Sequence, residues 1–280
     1  MLVTLSELLA AAQSGGYAVG AFDLVSLETG QALLEAAEAC QSPIILMIGP
    51  EAGSLLPYHL WMPALRDMAI HSPIPAAILL DHGPSYESAR QAIEAGATGV
   101  MYDGSLVSWE ENVRVTSQIV ALAHKHGVSV EAEIGCVGEA KDFVDAPPES
   151  TLTDPAQAAD FVERTGVDAL AVAIGTAHGV YRGTPRLDFE RLERIRRRVS
   201  VPLVLHGGSR TPPADLKRCI ELGITKINIY TDLVQRAAQH LRASLDRNDD
   251  ILEWLRAINL GFREVAIEYL ELFGCAGKAG

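Results

Sequence analysis

The strongest constraint on the fold is a regular alternation of short apolar segments with longer amphipathic segments. Short apolar runs predict buried strands, and the segments between them have the period and capping residues of helices. Eight strands separated by helices predict a closed (β/α)8 barrel, a TIM barrel, for which about 250 residues is a normal length. The predicted strands are Ala18–Phe22, Ile44–Ile48, Ala76–Leu80, Gly99–Met101, Val128–Ile134, Ala169–Ile174, Leu203–Leu205 and Lys226–Ile229.

Helical segments follow most of these strands and also the last one. Trp109–His126 has a helical period, and Asp154–Thr165 opens with an Asp-Pro pair that is typical of a helix start. Thr231–Phe273 predicts two or three additional C-terminal helices. Because no low-complexity linker divides the chain, we predict a single domain over residues 1–280.

Composition excludes several classes of partner. The formal net charge of −13 opposes a general nucleic-acid or anionic-membrane surface, so a small-molecule partner is expected. The first residues lack the basic region of a signal peptide, and no apolar run approaches the roughly 20 residues of a membrane span. Four scattered cysteines without a C-x-x-C pair are typical of reduced thiols. Together these features predict a cytoplasmic protein.

Three histidines, His82, His178 and His206, each lie just after the apolar run of a predicted strand. Because the carboxyl ends of parallel strands meet at one rim of a barrel, these imidazoles should converge there. Three nitrogen ligands with an open fourth position describe a catalytic zinc site. One histidine alone would more often be a hydrogen-bonded structural residue, so the prediction depends on the matching positions of all three.

Other polar residues also fall at the predicted strand ends. Charged groups would be costly to bury in the barrel core, so this placement favours a functional site. The residues concerned are Asp23, Asp81, Asp103, Glu133 and Asn228.

A phosphate site is predicted from small and hydroxyl-bearing residues at the later strand–helix turns. Such turns let backbone N–H groups and hydroxyls approach an oxyanion, and barrel phosphate sites commonly follow strands seven and eight. The alternative is that the glycines serve only the tight turns. The candidate residues are Gly179, Gly207, Gly208, Ser209, Tyr230 and Thr231.

Several longer motifs resemble those of the class II, zinc-dependent ketose-bisphosphate aldolases, which include the fructose- and tagatose-bisphosphate aldolases. The similarity extends from about Tyr17 to Gly277 and is far more specific than any single short motif. The principal motifs are Leu80-Asp81-His82-Gly83, Val130-Glu131-Ala132-Glu133-Ile134-Gly135, Ala173-Ile174-Gly175-Thr176-Ala177-His178-Gly179-Val180-Tyr181 and Leu205-His206-Gly207-Gly208-Ser209.

The resemblance implies a role for each matching residue. It makes His82, His178 and His206 the zinc ligands, and it leaves room for a second divalent or monovalent cation. Asp103 and Glu133 become carboxylates at or just behind the metal. Asp81 becomes the acid/base for the C4 hydroxyl proton, while zinc polarises the ketose carbonyl. Asn228 matches the residue that contacts the developing enediolate, although a strand-end amide can also simply tie down a loop.

The loop Cys136–Thr153 departs from the family pattern. It is longer than the usual strand–helix loop, so it is predicted to be either a mobile lid or a surface excursion. Lys141 falls where the family commonly has a proton-shuttling glutamate, which leaves Glu139 as a displaced substitute or the step altered.

Further departures cluster on the substrate-contacting positions. Arg182 stands where several family members carry lysine, and Arg210 replaces a glycine beside the predicted phosphate site. Tyr230 occupies a position that is often Asp, Asn, Gly or Ala, and Asp23 replaces a common Asn. An arginine that reaches the distal phosphate in many members is not evident near Asn259.

The resemblance therefore implies an aldolase that reversibly splits a ketose 1-phosphate or bisphosphate into dihydroxyacetone phosphate and an aldehyde. A phosphorylated sugar is the expected partner, and the enzyme is expected to be a homodimer or homotetramer. Two alternatives stay open: a related barrel lyase with a changed donor or acceptor, and a non-catalytic metal-binding paralogue.

Overall fold

The computed structural model describes residues 1–142, 147–247 and 249–280, and it shows a closed barrel of eight parallel strands. Each strand pairs with the next along the chain, and the last strand pairs with the first. The predicted (β/α)8 fold is confirmed. The strands are β1 Val19–Asp23, β2 Ile44–Ile48, β3 Ala76–Gly83, β4 Gly99–Tyr102, β5 Ser129–Ile134, β6 Ala169–Val172, β7 Leu203–Leu205 and β8 Ile224–Ile229.

Helices cover the outside of the barrel. All five residues of β2 are fully buried, because its outward side chains pack under helices while its inward side chains fill the barrel. The helices among the described residues are α1 Leu5–Gly15, α2 Leu27–Ala39, α3 Pro50–Leu55, α4 Tyr58–His71, α5 Tyr86–Ala95, α6 Trp109–Lys125, α7 Pro155–Thr165, α8 Phe189–Arg196, α9 Pro213–Glu221, α10 Thr231–Leu245 and α11 Ile251–Leu272.

Local sequence explains where several helices begin and end. Asp154 caps α7 by accepting from the backbone N–H groups of Ala156 and Gln157, and Gly166 ends that helix in the left-handed conformation. The C-terminal segment forms two helices, α10 and α11, within the predicted range of two or three, and α11 packs against α10 and α2.

Strand β3 is longer than predicted, because Asp81, His82 and Gly83 continue it beyond Leu80. Its pairing with β4 shifts register between Leu80 and Gly83, and His82 has φ +44° in the left-handed region. A bulge of this kind redirects side chains near a strand end. The irregular end of β3 therefore sets the directions of Asp81 and His82.

The long loop after β5 contains two short 3-10 helices, Ala140–Asp142 and Glu149–Thr151. Part of the predicted lid, residues 143–146, lies outside the described residues, and the lid stays a prediction. Among the helices that the structure describes, none combines the length and apolar character needed to cross a membrane.

Candidate active site

A cavity of about 490 Å³ opens at the carboxyl ends of the strands. This volume is within the usual range for small-molecule sites and is large enough for a sugar phosphate. The predicted site residues that line it are Asp23, Asp81, His82, Asp103, Glu139, His178, Gly179, Gly207, Ser209, Asn228, Tyr230 and Thr231.

The three predicted imidazoles cluster beside this cavity; His82 and His178 line it, and His206 is fully buried next to them. Their ring centroids are 5.0 Å apart for His82 and His178, 4.7 Å for His82 and His206, and 6.1 Å for His178 and His206. One ring nitrogen from each lies within 4.8 Å of the others. The histidines come from the ends of β3 and β7 and from the turn after β6, so the barrel closure brings together residues that are more than 120 positions apart.

Two carboxylates hold the outer nitrogens of these rings. Asp103 Oδ2 lies 2.8 Å from His82 Nδ1, and Glu131 Oε1 lies 2.9 Å from His206 Nε2. His82 Nε2 and His206 Nδ1 are left facing each other at 2.9 Å. A carboxylate behind an imidazole fixes its tautomer and orientation, as is typical of metal-ligating histidines.

His178 completes the cluster from a turn that is held by backbone pairing. The backbone N–H of His178 donates to Gly138 O at 2.9 Å, and its backbone carbonyl accepts from Ala140 N at 2.8 Å. Nε2 of His178 is buried and has no hydrogen-bond partner among the described residues. Burial and the nearby charge of His82 lower the pKa of His178 to about 4, which favours the neutral form that binds metals.

His82 has the opposite electrostatic character. Burial opposes its charged form, but Asp81 and the hydrogen bond to Asp103 raise its pKa to about 10. Glu133 lies nearby, and burial raises the pKa of its carboxyl to about 8. The Glu133 Oε2 atom is buried with no hydrogen-bond partner among the described residues, while Oε1 accepts from Val137 N at 3.0 Å.

This donor set fits a divalent cation. Three clustered imidazoles, one with an unpartnered buried nitrogen, offer the nitrogen ligands that zinc prefers, and the carboxylates supply compensating negative charge. His82, Asp103 and Glu133 form a second group whose ligand atoms also lie within 4.8 Å of one another. The second group offers mainly oxygen atoms and overlaps the first at His82.

Asp81 and Asn228 lie beside the imidazoles. Asn228 Nδ2 donates to Asp81 Oδ1 at 3.0 Å, and it also lies 3.3 Å from His206 Nδ1. Both side chains are almost completely buried, yet both contribute to the cavity wall. Asn228 Oδ1 has no hydrogen-bond partner among the described residues, so it is available to a bound molecule.

The turns after β6, β7 and β8 form the side of the cavity where a phosphate is predicted. Ser209 Oγ accepts from the N–H groups of Tyr230 and Asp232 at 3.2 and 3.4 Å, so its own hydrogen is not used in these bonds. Gly207 has φ +67°, and a Cβ there would lie 2.5 Å from Ala177 O. This turn therefore requires glycine.

Some predicted phosphate residues do not line the cavity in this structure. The Gly208 N–H donates to Asn228 O at 3.1 Å, which uses it in the barrel. Arg182 is exposed outside the cavity wall. Arg210 is also exposed, and it lines a second cavity beside α10 and α11.

Glu139 lies next to His178 because the loop after β5 pairs with the turn after β6 at these two residues. A Cβ added to Gly179 would lie 3.6 Å from Glu139 Oε2, which shows how near this carboxylate is to the turn. Lys141 is exposed and does not line the cavity. Between the two, only Glu139 contributes to the cavity wall.

Sequence reasoning missed Glu131, Lys226 and Glu51. Lys226 Nζ lies 2.9 Å from Glu131, the carboxylate behind His206. Alternation offered a signal for these two, because Glu131 and Lys226 precede Glu133 and Asn228 by two residues on the same strand faces. Glu51 in α3 also lines the cavity, and no strand-end pattern marks it.

Comparison with known proteins identifies the same family that the sequence motifs resemble. The family model for class II fructose-bisphosphate aldolases matches residues 3–278. A probable fructose-bisphosphate aldolase from Bacillus subtilis is 42% identical, and the fructose-bisphosphate aldolase from Geobacillus stearothermophilus is 41% identical; each match covers 99% of both chains. The crystal structure of the YdjI aldolase from Escherichia coli K12 is similar with a TM-score of 0.91 and 38% identity, covering 100% of both chains.

The chain therefore belongs to the class II fructose-bisphosphate aldolase family. Members of this family are generally metal-dependent, and the two groups of potential ligands described above agree with that property.

Proposed function

We propose that the protein is a zinc-dependent aldolase that reversibly cleaves a ketose 1-phosphate or bisphosphate to dihydroxyacetone phosphate and an aldehyde. The observation that carries this proposal is the position of Asp81. Its carboxylate lies in the cavity wall beside the three clustered imidazoles, with Oδ2 3.8 Å from His82 Nε2. A proton acceptor and a potential Lewis-acid site thus lie side by side, as carbon–carbon cleavage next to a carbonyl requires.

His82, His178 and His206 would hold the zinc, with Asp103 and Glu131 orienting two of the rings. Glu133, with Asp103, is available to a second divalent or monovalent cation. A divalent cation, when bound, supplies Lewis acidity that polarises the ketose carbonyl.

Asp81 accepts the proton of the C4 hydroxyl in the cleavage direction. The C3–C4 bond then breaks, C4 becomes the aldehyde carbon, and the electron pair stays with the C1–C3 fragment. The Asn228 amide N–H donates to Asp81 Oδ1 and holds this carboxylate in position. The unpartnered Asn228 Oδ1 can accept a hydrogen bond from a hydroxyl of the C1–C3 fragment.

Glu139 delivers a proton to C3 of that fragment, which completes dihydroxyacetone phosphate. The reaction balances without an oxidant or reductant, because one proton leaves the C4 hydroxyl and one proton reaches C3. The proton-transfer role of Glu139 is supported by its location in the cavity wall beside His178 and Gly179.

The C1 phosphate binds at the turns after β6, β7 and β8. Gly179, Gly207, Ser209 and Thr231 line this side of the cavity, and the Ser209 hydroxyl hydrogen is free to donate. Arg182 would add a positive charge by moving to the phosphate when substrate binds.

Assembly into a homodimer or homotetramer is also proposed. The C-terminal helix α11 exposes Ile251, Leu252, Leu255 and Leu260, and an apolar surface of this kind favours self-association. A cytoplasmic location is proposed from the reduced-thiol pattern of the cysteines.

A cleavage assay on zinc-loaded protein tests this function. We expect dihydroxyacetone phosphate to be released from a ketose 1-phosphate or from a ketose bisphosphate, and activity to disappear on chelation and return with zinc. Asp81→Ala should retain its zinc, measured by elemental analysis, and lose on the order of 10²–10⁴-fold in turnover. Full activity in metal-free protein would overturn the proposal, and zinc binding with no turnover on any ketose phosphate would indicate a non-catalytic paralogue.

A further inference from the structure

The cavity has two sides of different chemical character. The turns after β6, β7 and β8 present glycines, hydroxyls and backbone N–H groups, which suit the C1 phosphate proposed above. The adjoining side, next to β8 in the barrel, comes from the ends of β1 and β2 and from α3. Asp81 lies at the end of β3, which pairs with β2, so the carbons beyond C4 of a ketose held at Asp81 can extend toward this second side.

Two carboxylates dominate the second side. Asp23 Oδ1 is buried and has no hydrogen-bond partner among the described residues. A Cβ built on Gly49 would lie 3.6 Å from Asp23 Oδ1 and 3.5 Å from Glu51 Oε2. Asp23 and Glu51 therefore face the same space beside Gly49, and that space is part of the cavity.

The described residues on this side of the cavity include no lysine or arginine that could neutralise a phosphate. No lysine or arginine lines the cavity within the described parts of the chain. Helix α3 begins with Pro50, which has no N–H to donate, and its first turn carries Glu51. A second phosphate here would meet the carboxyl groups of Asp23 and Glu51 and no lining lysine or arginine of the described residues.

We propose that the aldehyde half of the substrate carries hydroxyl groups and no phosphate, so that the protein acts on ketose 1-phosphates and discriminates against ketose bisphosphates. This inference rests on the proposed aldolase function and names its substrate class. Asp23 and Glu51 form hydrogen bonds with the terminal hydroxyls, and the Tyr230 phenol, which also lines the cavity, contributes a further polar group. Like charges placed together are a common means of rejecting a wrong partner.

The test compares two matched aldehydes in the condensation direction with zinc-loaded protein and dihydroxyacetone phosphate. Glyceraldehyde should be favoured over glyceraldehyde 3-phosphate in kcat/KM by on the order of 100-fold, as expected when like charges are juxtaposed. The same ranking should hold for cleavage of fructose 1-phosphate against fructose 1,6-bisphosphate. Equal rates, or preference for the phosphorylated aldehyde, would overturn the inference. A cation supplied to this side by a second copy of the chain would give that result.

Variants locate the discrimination. Glu51→Gln keeps side-chain size and removes a charge, and Asp23→Asn keeps side-chain size and replaces a carboxyl oxygen with an amide donor. Each should raise the relative kcat/KM for the phosphorylated aldehyde, and the double variant should raise it most. Glu28→Gln removes the same charge from an exposed position on α2 outside the cavity, and it should leave the ratio unchanged. An equal shift from Glu28→Gln, or no shift from Asp23→Asn and Glu51→Gln, would contradict the assignment.

A binding measurement separates this inference from the proposed function. In zinc-loaded Asp81→Ala protein, calorimetry should detect fructose 1-phosphate binding more tightly than fructose 1,6-bisphosphate. If neither sugar binds and neither is cleaved by the unmodified protein, the aldolase proposal itself fails. If both bind and are cleaved equally well, the aldolase proposal stands and only the substrate class is wrong.

Discussion

Lys226 on β8 and Glu131 on β5 form an ion pair inside the barrel, with Nζ 2.9 Å from each carboxylate oxygen and no exposed surface on either side chain. The same Glu131 carboxylate holds His206 Nε2 at 2.9 Å. An interior charge is tolerated only when it is paired, so Lys226 allows Glu131 to remain in the barrel as a negatively charged partner for the imidazole.

Lys226→Met should destabilise the protein by about 3–5 kcal/mol, because it leaves a buried carboxylate without its counter-charge. The free energy of unfolding can be measured in urea. Arg197→Met, which breaks the exposed pair with Glu193, should cost no more than about 1 kcal/mol. Adding Glu131→Gln to Lys226→Met should restore part of the loss. Similar effects from Lys226→Met and Arg197→Met would contradict the role of burial.

Asp103→Asn should weaken zinc affinity about 10–100-fold, because the Asp103 carboxylate lies 2.8 Å from His82 Nδ1 and orients that imidazole for the metal. Competition with a chromophoric chelator measures this directly, without an activity assay. Asp168→Asn is the matched control, since Asp168 forms a similar pair with His124 at 3.0 Å on a different part of the barrel. Unchanged affinity in Asp103→Asn would show that the carboxylate does not support the metal.

Glu139→Ala should slow hydrogen–deuterium exchange into dihydroxyacetone phosphate much more than Lys141→Ala does. Glu139 lines the cavity beside His178, whereas Lys141 is exposed outside it. The exchange can be followed by NMR with zinc-loaded protein. The reverse ranking would identify Lys141 as the base, and absence of exchange in the unmodified protein would mean that dihydroxyacetone phosphate is not the donor.

Gly207→Ala should lower stability and weaken inhibition by inorganic phosphate. Its Cβ would lie 2.5 Å from Ala177 O, in addition to the strain of a positive φ. Gly127→Ala is a control with nearly the same φ, +68° against +67°, and nothing within 4 Å, so it should cost only the left-handed penalty of about 1–2 kcal/mol. Thermal unfolding and the phosphate inhibition constant separate the two effects. If the two variants behave alike, contact with Ala177 is not what requires glycine.

Arg182→Ala should reduce kcat/KM for a phosphorylated ketose by about 10–100-fold, the usual contribution of a hydrogen bond to a charged group. The unphosphorylated ketose should lose little. Arg186→Ala removes another exposed arginine from the same segment and should have no such effect. Arg182 is exposed outside the cavity wall in this structure. Equal losses of kcat/KM for both substrates would show that Arg182 has a structural role and does not bind the phosphate.

Much of the fold followed from the sequence because strand and helix periodicities are local properties. All eight predicted strands are present, and the N-cap and C-terminal glycine of α7 lie where the sequence indicates them. The end of β3 was predicted too early, since Asp81 and His82 are polar and resemble a loop. Pairing with β4 across a bulge extends the strand, and that pairing depends on a neighbouring segment.

The site divides in the same way. Strand-end positions and motifs in the sequence pointed to His82, His178 and His206, and the structure brings these residues together. Arg182 and Arg210 are exposed and do not line the cavity, and their placement beside a phosphate stays a prediction, because position in the chain does not determine side-chain direction in an exposed turn.

By itself, the sequence determined the barrel, the strand ends at which polar residues gather and the family to which the motifs belong. Only the tertiary structure decided which nitrogen of each imidazole faces the centre, that Glu131 and Lys226 pair within the barrel, and that Asp23 and Glu51 share one side of the cavity. The physical reason is that periodicity fixes the face on which a residue lies. Contacts between residues distant in sequence depend instead on barrel closure, register shifts and loop conformation, which no local pattern encodes.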